Sequence, residues 1–347
     1  MEHPAERPVL AVDLGGTQIR AALITPDRTV HGRRAVPTRD EDGVDATLAR
    51  IAEVAVGVRD RAAADGLPAP VGVGISSPGP LDRWRGIVLT PPNLRGWHDV
   101  PIVDALAGAV GLPTYLERDT NVAVLAEWRY GAAAGTTDAI YVTVSTGVGG
   151  GIVSGGRPLL GHDGLAGELG HLVVELDGPT CGCGGVGHVE AIASGTALAR
   201  EARTLLAGPD SPLAAFVREG EPPDASLLAR ASEAGDPDAA AILDRAWVAV
   251  GALCASLVNL LNPEVIVIGG GIAEHHPRLF EVARAELARR ALPGFADRVR
   301  IAPASLGPDV SLIGLLPIVN DRLGDPAFAA GSRLTPPASV PQGAPLS

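Results

Sequence analysis

Short apolar runs alternate with glycine- and proline-containing turns at the beginning of the chain. Runs at residues 8–14, 17–24 and 29–37 predict three strands. Apolar residues at helical spacing then predict a helix over residues 47–64. Because a Gly-Gly pair separates the first two strands, the chain opens with a predicted β-hairpin followed by a helix.

The succession of strand, glycine turn and strand returns about 130 residues later. Residues 139–144 predict a strand, residues 145–151 a glycine-rich turn, and Ile152 the start of the next strand. Duplication of an α/β domain is the economical explanation of this repeat. The other predicted elements are strands at 71–75, 114–117 and 264–268, and helices at 103–110, 120–130, 195–206, 239–261, 277–291 and 311–323.

The apolar pattern favours a protein without a membrane segment. The most apolar stretch, residues 251–272, is interrupted by Asn259, Pro263 and Glu264. The first residues lack the charged-then-apolar order of a signal peptide. Residues 331–347 are rich in proline, serine and glycine and predict a disordered tail. We therefore expect a cytoplasmic protein with no membrane partner.

The amino-acid composition excludes several kinds of catalytic and binding chemistry. All 28 basic residues are arginine, which excludes lysine Schiff bases, P-loop lysines and the ion pair of protein kinases. The net charge of −12 argues against a nucleic-acid partner, since such binding needs a basic surface. Three cysteines are too few for a disulfide framework and suit a metal site in a reducing compartment.

Two glycine-rich turns follow strands at equivalent points. In the first, Asp13 ends a strand, Gly15 and Gly16 let a ligand approach the backbone, and Thr17 adds a hydroxyl. Asp13 is also a candidate to hold hydrated Mg²⁺. Residues 146–151 repeat this design. A plain hairpin turn explains either one alone, whereas the pair together suits a clamp on a polyphosphate.

Asp119 lies between a predicted strand and a predicted helix. It is a preferred N-cap residue, and it is also a candidate general base for a hydroxyl that attacks phosphorus. The two interpretations are compatible, because a helix N-terminus helps to keep a carboxylate ionised. A third glycine run, residues 269–271, predicts a strand-to-helix turn or a surface for a flat ligand.

A metal site is predicted between residues 168 and 190. Nitrogen and sulfur ligands of this kind are typical of zinc, and four of them leave no open position, so the metal would be structural. The alternative is a glycine-rich loop with two inert thiols. The four candidate ligands are His171, Cys181, Cys183 and His188.

Several motifs resemble the ROK family of repressors and sugar kinases, particularly its glucokinase-like members. The most specific stretch is Gly167-Glu168-Leu169-Gly170-His171, followed by Cys181-Gly182-Cys183-Gly184 and Gly187-His188-Val189-Glu190. The opening DLGGT, residues 92–97 and residues 146–151 also match, and the similarity spans about residues 8–325.

The resemblance implies an α/β, actin/hexokinase-like fold with two RNase H-like lobes around a central cleft. The N-terminal lobe would comprise residues 1–119, completed by a C-terminal helix at 311–325. The other lobe would comprise residues 120–310, with the zinc loop and dimerisation helices. It also implies a homodimer or homotetramer that uses ATP and Mg²⁺ to phosphorylate a hexose, most plainly glucose, at the 6-hydroxyl.

The resemblance further assigns roles to residues. Asp119 would be the base, and the ATP phosphates would lie between the two glycine turns with adenosine near residues 269–271. His171 would serve both the zinc and the sugar. The implied sugar-binding residues are Asn93, Arg118, Asp119, Glu168, His171 and Glu190. The implied nucleotide-binding residues are Asp13, Gly15, Gly16, Thr17, Thr146, Gly147, Gly149, Gly270 and Gly271.

Three positions depart from the family pattern. Arg118 stands where asparagine is usual. Because arginine offers only hydrogen-bond donors and a fixed charge, the family's usual sugar preference does not carry over directly to this chain. His188 replaces a cysteine ligand, and Gln18 replaces a lysine. The first glycine turn comes too early to leave room for a helix-turn-helix domain. Alternatives to glucokinase are an N-acetylhexosamine kinase, a non-catalytic sugar-responsive regulator, and a metal-dependent hydrolase that uses His162 with Glu168, His171 and His188.

Overall fold

The computed structural model describes residues 6–208, 211–218 and 220–325 of the chain. The tail predicted at residues 331–347 lies outside this described part. The chain divides into two compact units. Unit 1 holds the described residues of Met1–Asp119 and Ser311–Ser347, and unit 2 holds those of Thr120–Val310.

Strands and short helices alternate along both units. The strands are β1 (Val9–Leu14), β2 (Gln18–Ile24), β3 (Val30–Pro37), β4 (Val73–Ser77), β5 (Leu81–Asp82), β6 (Ile87–Val88), β7 (Thr114–Arg118), β8 (Ala139–Val144), β9 (Val148–Ser154), β10 (Arg157–Pro158), β11 (Val265–Gly269) and β12 (Arg300–Pro303). The helices are α1 (Val44–Ala64), α2 (Ile102–Val110), α3 (Asp119–Tyr130), α4 (Glu190–Ala193), α5 (Gly195–Leu206), α6 (Ala225–Glu233), α7 (Pro237–Leu261), α8 (Gly271–His275), α9 (Arg278–Arg290), α10 (Val310–Ile313) and α11 (Leu315–Arg322).

The main sheet of unit 1 has the order β3-β2-β1-β4-β7. β1 is antiparallel to β2 and parallel to β4, and β4 is parallel to β7. The helix α1 buries Ile51, Val54 and Val58 at three- and four-residue spacing, as the apolar pattern predicts. On β4, Gly74 admits the helix α11, because a Cβ at Gly74 would lie 2.8 Å from the Leu315 Cβ.

The main sheet of unit 2 has the corresponding order β10-β9-β8-β11-β12. β8 is antiparallel to β9 and parallel to β11, which is parallel to β12. Both sheets therefore consist of three antiparallel strands, β3-β2-β1 and β10-β9-β8, continued by parallel strands. This shared plan agrees with the repeat of strand, glycine turn and strand in the sequence.

The structure corrects two of the predicted elements. The glycines at 149–151 belong to the strand β9, and the turn is confined to residues 145–147. The single helix predicted at 311–323 is divided into α10 and α11. Several short elements were not predicted, among them α6 and β12. Glycine marked residues 149–151 as part of a turn, whereas pairing with β8 decided their conformation.

The helix α7 runs through the core of unit 2. Among the described residues it is the one helix that meets the length and apolarity of a membrane span, and 61% of its most apolar window is buried inside the protein. It contains Trp247, Leu253 and Cys254, all at most 1% exposed. This burial is typical of a core helix.

Candidate active site

A row of polar side chains crosses the unit 1 sheet at the carboxyl ends of its parallel strands. The strand register places Asp13 beside Arg20 on one side and beside Ser76 on the other. Ser76 in turn lies beside Glu117. Residues in register on neighbouring strands point to the same face, so the four side chains form one row. The carboxyl edge of a parallel sheet is where α/β proteins commonly bind their ligands.

Asp13 is the acid of this row on β1. Its Oδ2 accepts hydrogen bonds from Arg20 Nη2 at 2.5 Å and from Arg20 Nε at 3.1 Å. Asp13 is buried and Arg20 is partly buried, so the pair is shielded from bulk water. The arginine therefore holds the carboxylate at the base of the first glycine turn.

The first glycine turn packs closely on the segment that contains Asn93. A Cβ at Gly16 would lie 3.0 Å from the Asn93 backbone oxygen and 3.1 Å from its Cβ. Thr38 anchors the turn, since its backbone N–H donates to the Thr17 carbonyl at 2.9 Å and its hydroxyl to the Gly15 carbonyl at 2.6 Å. Thr17 and Asn93 are exposed. The structure thus brings these nucleotide and sugar candidates together.

Asp119 is the first residue of α3 and directly follows β7. It is partly exposed, whereas Glu117, Arg118 and Thr120 around it are buried. Its position at a helix N-terminus favours the ionised carboxylate. A partly exposed carboxylate at this position is a candidate general base.

Arg118 turns into unit 1. The residue is 4% exposed. Its side chain passes Gly79, where a Cβ would lie 3.3 Å from the Arg118 Cδ. Its positive charge also acts on Arg83. Arg118 was predicted to be a sugar-binding residue. Because it is buried, a ligand could reach only a small part of its side chain.

The second glycine turn, residues 145–147, is held by residues of unit 2. Glu190 Oε2 accepts a hydrogen bond from the Val148 N–H at 3.0 Å and would lie 2.6 Å from a Cβ at Gly147. The Thr146 carbonyl accepts one from the Thr196 hydroxyl at 2.9 Å. Farther along β9, Gly149 lies against Thr120, where a Cβ would be 2.8 Å from the methyl carbon.

Four metal-ligand side chains meet in unit 2. Their ligand atoms all lie within 4.8 Å of one another, and we call the group the Cys/His cluster. Burial raises the pKa of the Cys181 thiol, and the charges of nearby Glu190 and Cys183 act in the same direction. The members of the cluster are His171, Cys181, Cys183 and His188.

The alternative hydrolase site is not assembled in this way. His162, its proposed additional ligand, has a side chain that is 75% exposed and lies 3.6 Å from Asp163. The Cys/His cluster does not include it. Two cysteines complete the four-ligand set instead, which is the composition of a closed structural zinc site.

Glu190 connects the Cys/His cluster with the second glycine turn. Its Oε1 lies 3.6 Å from Cys181 Sγ, while its Oε2 binds the Val148 N–H. His171 ends a short 3₁₀ helix whose Gly170 fits closely against Val148. Glu168 immediately precedes this helix and is exposed. The sugar candidates of unit 2 therefore lie around one turn and one cluster.

The third glycine run lies beside the second turn. Gly270 has a φ of 94° and begins the helix α8. A Cβ at Gly270 would lie 2.5 Å from the Val144 carbonyl oxygen. Gly271 has open space around it. The close approach of Gly270 to the end of β8 brings both adenosine candidates next to the second turn.

Sequence analysis did not identify the arginine partners of the acids. Arg20 could have been found from the hairpin register, since it pairs with Asp13 across the first turn. Arg83 and Arg322, which bind Glu117, carry no such signal. Arg322 lies 205 residues from Glu117 along the chain.

Known proteins are similar in amino-acid sequence to this chain over most of its length. A glucokinase from Thermotoga maritima is 37% identical over 318 residues, which cover 91% of this chain and 98% of the relative. An N-acetylmannosamine kinase from Escherichia fergusonii is 36% identical, covering 80% of this chain and 88% of the relative.

The structural similarity extends equally far. A ROK family glucokinase from Streptomyces griseus, solved in complex with glucose and AMPPNP, matches with a TM-score of 0.76 at 30% identity. The match covers 90% of this chain and 98% of that chain, and it confirms the predicted actin/hexokinase-like fold. The model of the ROK family matches residues 9–322. Sequence motifs, sheet plan and similarity thus agree that this chain belongs to the ROK family.

Proposed function

We propose that this protein is an ATP-dependent hexose kinase that phosphorylates the 6-hydroxyl of glucose. The observation that carries the proposal is the partly exposed carboxylate of Asp119, at the N-terminus of α3 and at the carboxyl edge of the unit 1 sheet. The relatives named glucokinase, similar over nearly their whole length, support the same activity.

Asp119 acts as the general base. The sugar O6 attacks the γ-phosphorus of ATP, the bond between that phosphorus and the β,γ-bridging oxygen breaks, and ADP leaves. The carboxylate of Asp119 accepts the O6 proton as the new bond forms. Removal of such a base typically lowers turnover by about 10²–10⁴-fold.

Each of the two glycine turns would bind nucleotide phosphates through its backbone N–H groups. The first turn offers Gly15 and Gly16, and the second offers Gly147. Backbone donors are the means available to a chain without lysine, since they supply positive potential without a charged side chain. Gly270 and Gly271 would accept the adenosine.

Asp13 fits a role in holding Mg²⁺. One carboxylate plus substrate phosphates and water is a common protein site for this ion. Arg20 binds its Oδ2 and holds the carboxylate in place, and the carboxylate would bind water of the hydrated ion. When bound, Mg²⁺ neutralises charge on the phosphates.

The Cys/His cluster fits structural zinc. Two imidazole nitrogens and two sulfurs that lie within 4.8 Å of one another are the donor set of a closed, structural zinc site. Zinc bound there would stabilise the loop that carries His171. Through Glu190, which lies against Cys181, the same loop also supports the second glycine turn.

The sugar is assigned to glucose, with N-acetylmannosamine as the second candidate. Relatives with both names cover most of this chain. Asn93, Arg118, Glu168, His171 and Glu190 would bind the sugar hydroxyls, and Arg118 replaces the asparagine usual in the family. A cytoplasmic homodimer or homotetramer remains our prediction for location and assembly.

A coupled assay of ADP release tests the proposal. The protein is given ATP and Mg²⁺ with glucose, mannose, N-acetylglucosamine or N-acetylmannosamine, and ATP without sugar serves as the control. We expect turnover to be fastest with glucose. Faster turnover with an N-acetylated sugar would reassign the substrate. A rise in the melting temperature with sugar but without turnover would instead indicate a regulator.

A further inference from the structure

A buried carboxylate in unit 1 binds more arginine than its charge balances. Glu117, the fourth residue of β7, is fully buried. Its Oε1 accepts a hydrogen bond from Arg83 and its Oε2 accepts one from Arg322. Arg118, also buried, adds a third positive charge near Arg83. We call these four residues the Glu117 cluster.

The charges of the Glu117 cluster act strongly on one another. Burial lowers the pKa of Arg83 to about 10, the charge of Glu117 opposes this shift, and Arg322 and Arg118 add to it. Buried charges are tolerated only when they are paired and hydrogen-bonded. Glu117 therefore supplies the negative charge that Arg83 and Arg322 bind in this part of the core.

The Glu117 cluster also holds the backbone at the end of β7. Glu117 Oε1 accepts a hydrogen bond from the Arg118 N–H at 2.9 Å. Arg322 Nη1 donates to the Leu116 carbonyl at 2.9 Å. Side chains thus bind the strand on both sides of Glu117, immediately before Asp119.

The position of β7 in the sheet explains why such bonds are needed. β7 is an edge strand, and β4 is its one strand neighbour in the described sheet. The register pairs Ser77 with Arg118, so one side of the strand end is held by β4. Arg322, from α11, donates a hydrogen bond to the Leu116 carbonyl, as a second neighbouring strand would do.

We propose that Glu117 is a positioning residue for the kinase reaction. It binds Arg83, Arg322 and the Arg118 N–H, and so keeps the strand end that continues into Asp119 in one place. Glu117 acts through the backbone and does not touch the substrate. This inference rests on the proposed role of Asp119 as the base.

Glu117→Gln is the first test. The variant keeps the size of the side chain and removes the negative charge. We expect kcat with glucose to fall about 10- to 100-fold, since a misplacement of about 1 Å costs on the order of 10²-fold. The KM for glucose is expected to stay within about threefold, because Glu117 itself does not contact the substrate. Hydrogen exchange of the Arg118 amide is expected to become faster.

A double variant separates positioning from general stability. Glu117→Gln removes the charge of the anion that Arg83 and Arg322 bind, so we expect a lower melting temperature. Adding Arg322→Met removes one cation and restores the net charge of the wild-type cluster. The melting temperature should then rise, while kcat stays low, because neither change restores the bonds to the strand end. A kcat that recovers together with the melting temperature overturns the proposal.

Glu127→Gln is the matched control. Glu127 is equally buried, but it lies in unit 2 and accepts hydrogen bonds from Ala132, Ser305 and Leu306. We expect a lower melting temperature with kcat within about threefold of wild type. An active wild type whose Glu117→Gln variant keeps its kcat overturns the positioning role alone. A wild type without turnover on any hexose overturns the proposed function as well.

Discussion

The same three places in the two sheets are filled by different kinds of residue. In unit 1, neighbouring positions on β2, β1 and β4 hold Arg20, Asp13 and Ser76. The matching positions on β9, β8 and β11 of unit 2 hold Gly149, Thr143 and Gly269. One sheet therefore ends in charged and polar side chains, and the other ends in small ones.

This difference shows how one sheet plan serves two purposes. In unit 1 the side chains hold acids at the strand ends. In unit 2 the missing side chains make room, since a Cβ at Gly149 would lie 2.8 Å from Thr120 and one at Gly269 would lie 2.5 Å from the Tyr141 hydroxyl. Charge dominates the chemistry of unit 1, and close packing dominates the shape of unit 2.

Removal of the base charge in unit 1 should have the largest effect. We expect Asp119→Asn to lower kcat with glucose by about 10²–10⁴-fold, because the amide cannot accept the O6 proton. The melting temperature and glucose binding should change little. The ADP-release assay and calorimetric glucose titration measure both. Asp45→Asn, in the first turn of α1, is the control for loss of a helix-terminal acid, and an Asp119 variant within tenfold of wild type would exclude the base role.

Disruption of the Cys/His cluster in unit 2 should have the second-largest effect. We expect Cys181→Ser to lose bound zinc and to weaken glucose binding by about tenfold or more, since loss even of a residue that only supports a metal ligand commonly costs about 10- to 100-fold in metal affinity or activity. The expected cause is displacement of His171. Elemental analysis measures the metal, and titration measures the sugar affinity. Cys254→Ala removes the third thiol, which lies in α7, and should keep both values. Unchanged glucose affinity after metal loss would contradict the coupling.

Adding one methyl group where β9 is closely packed should have a smaller effect than loss of the Cys/His cluster. A Cβ at Gly151 would lie 2.5 Å from the Thr120 carbonyl oxygen and 2.7 Å from Val124 Cγ1. We expect Gly151→Ala to lower the free energy of unfolding by about 1–3 kcal/mol, as overpacking does. Gly108→Ala in α2 has open space and should stabilise by about 0.5–1 kcal/mol. Urea denaturation of both variants checks the opposite signs.

The smallest effect should come from a histidine in unit 2. Burial lowers the pKa of His276 from 6.5, and the nearby charge of His275 adds to this, while Glu233 opposes it. The unfolded chain therefore binds a proton as the pH falls through about 6.5, whereas the folded chain binds it only at lower pH. Stability should fall with pH in this window and be unaffected above it.

Substitution of the histidine isolates its contribution. His276→Gln stays neutral, so its melting temperature should fall less than that of wild type between pH 7.5 and pH 5.5. The exposed His162, changed to Gln, is the control. Equal losses in wild type and His276→Gln would show that other groups carry the pH dependence.

Local spacing made part of this architecture predictable. The apolar runs gave the strands β1, β2 and β8 within a few residues, because period and turn residues are local signals. The run at 149–151 was assigned wrongly to a turn. Glycine favours turns intrinsically, yet pairing with β8 made these residues a strand.

The candidate site divides in the same way. The four residues of the Cys/His cluster were predictable because they lie within an 18-residue stretch at metal-ligand spacing. Asp119 was predictable from its place between a strand and a helix. Arg20, Arg83 and Arg322 were not, since their partners depend on register and on which elements meet in space.

The sequence by itself determined the repeated hairpin, the glycine turns, the acid between a strand and a helix and the set of candidate metal ligands, because each depends on neighbours a few positions away. The tertiary structure alone decided that Glu117 binds Arg83 and Arg322, which come from two distant parts of the chain. The physical reason is that a buried charge is compatible with folding only when partners reach it. Which partners do so depends on the packing of α11 beside β7.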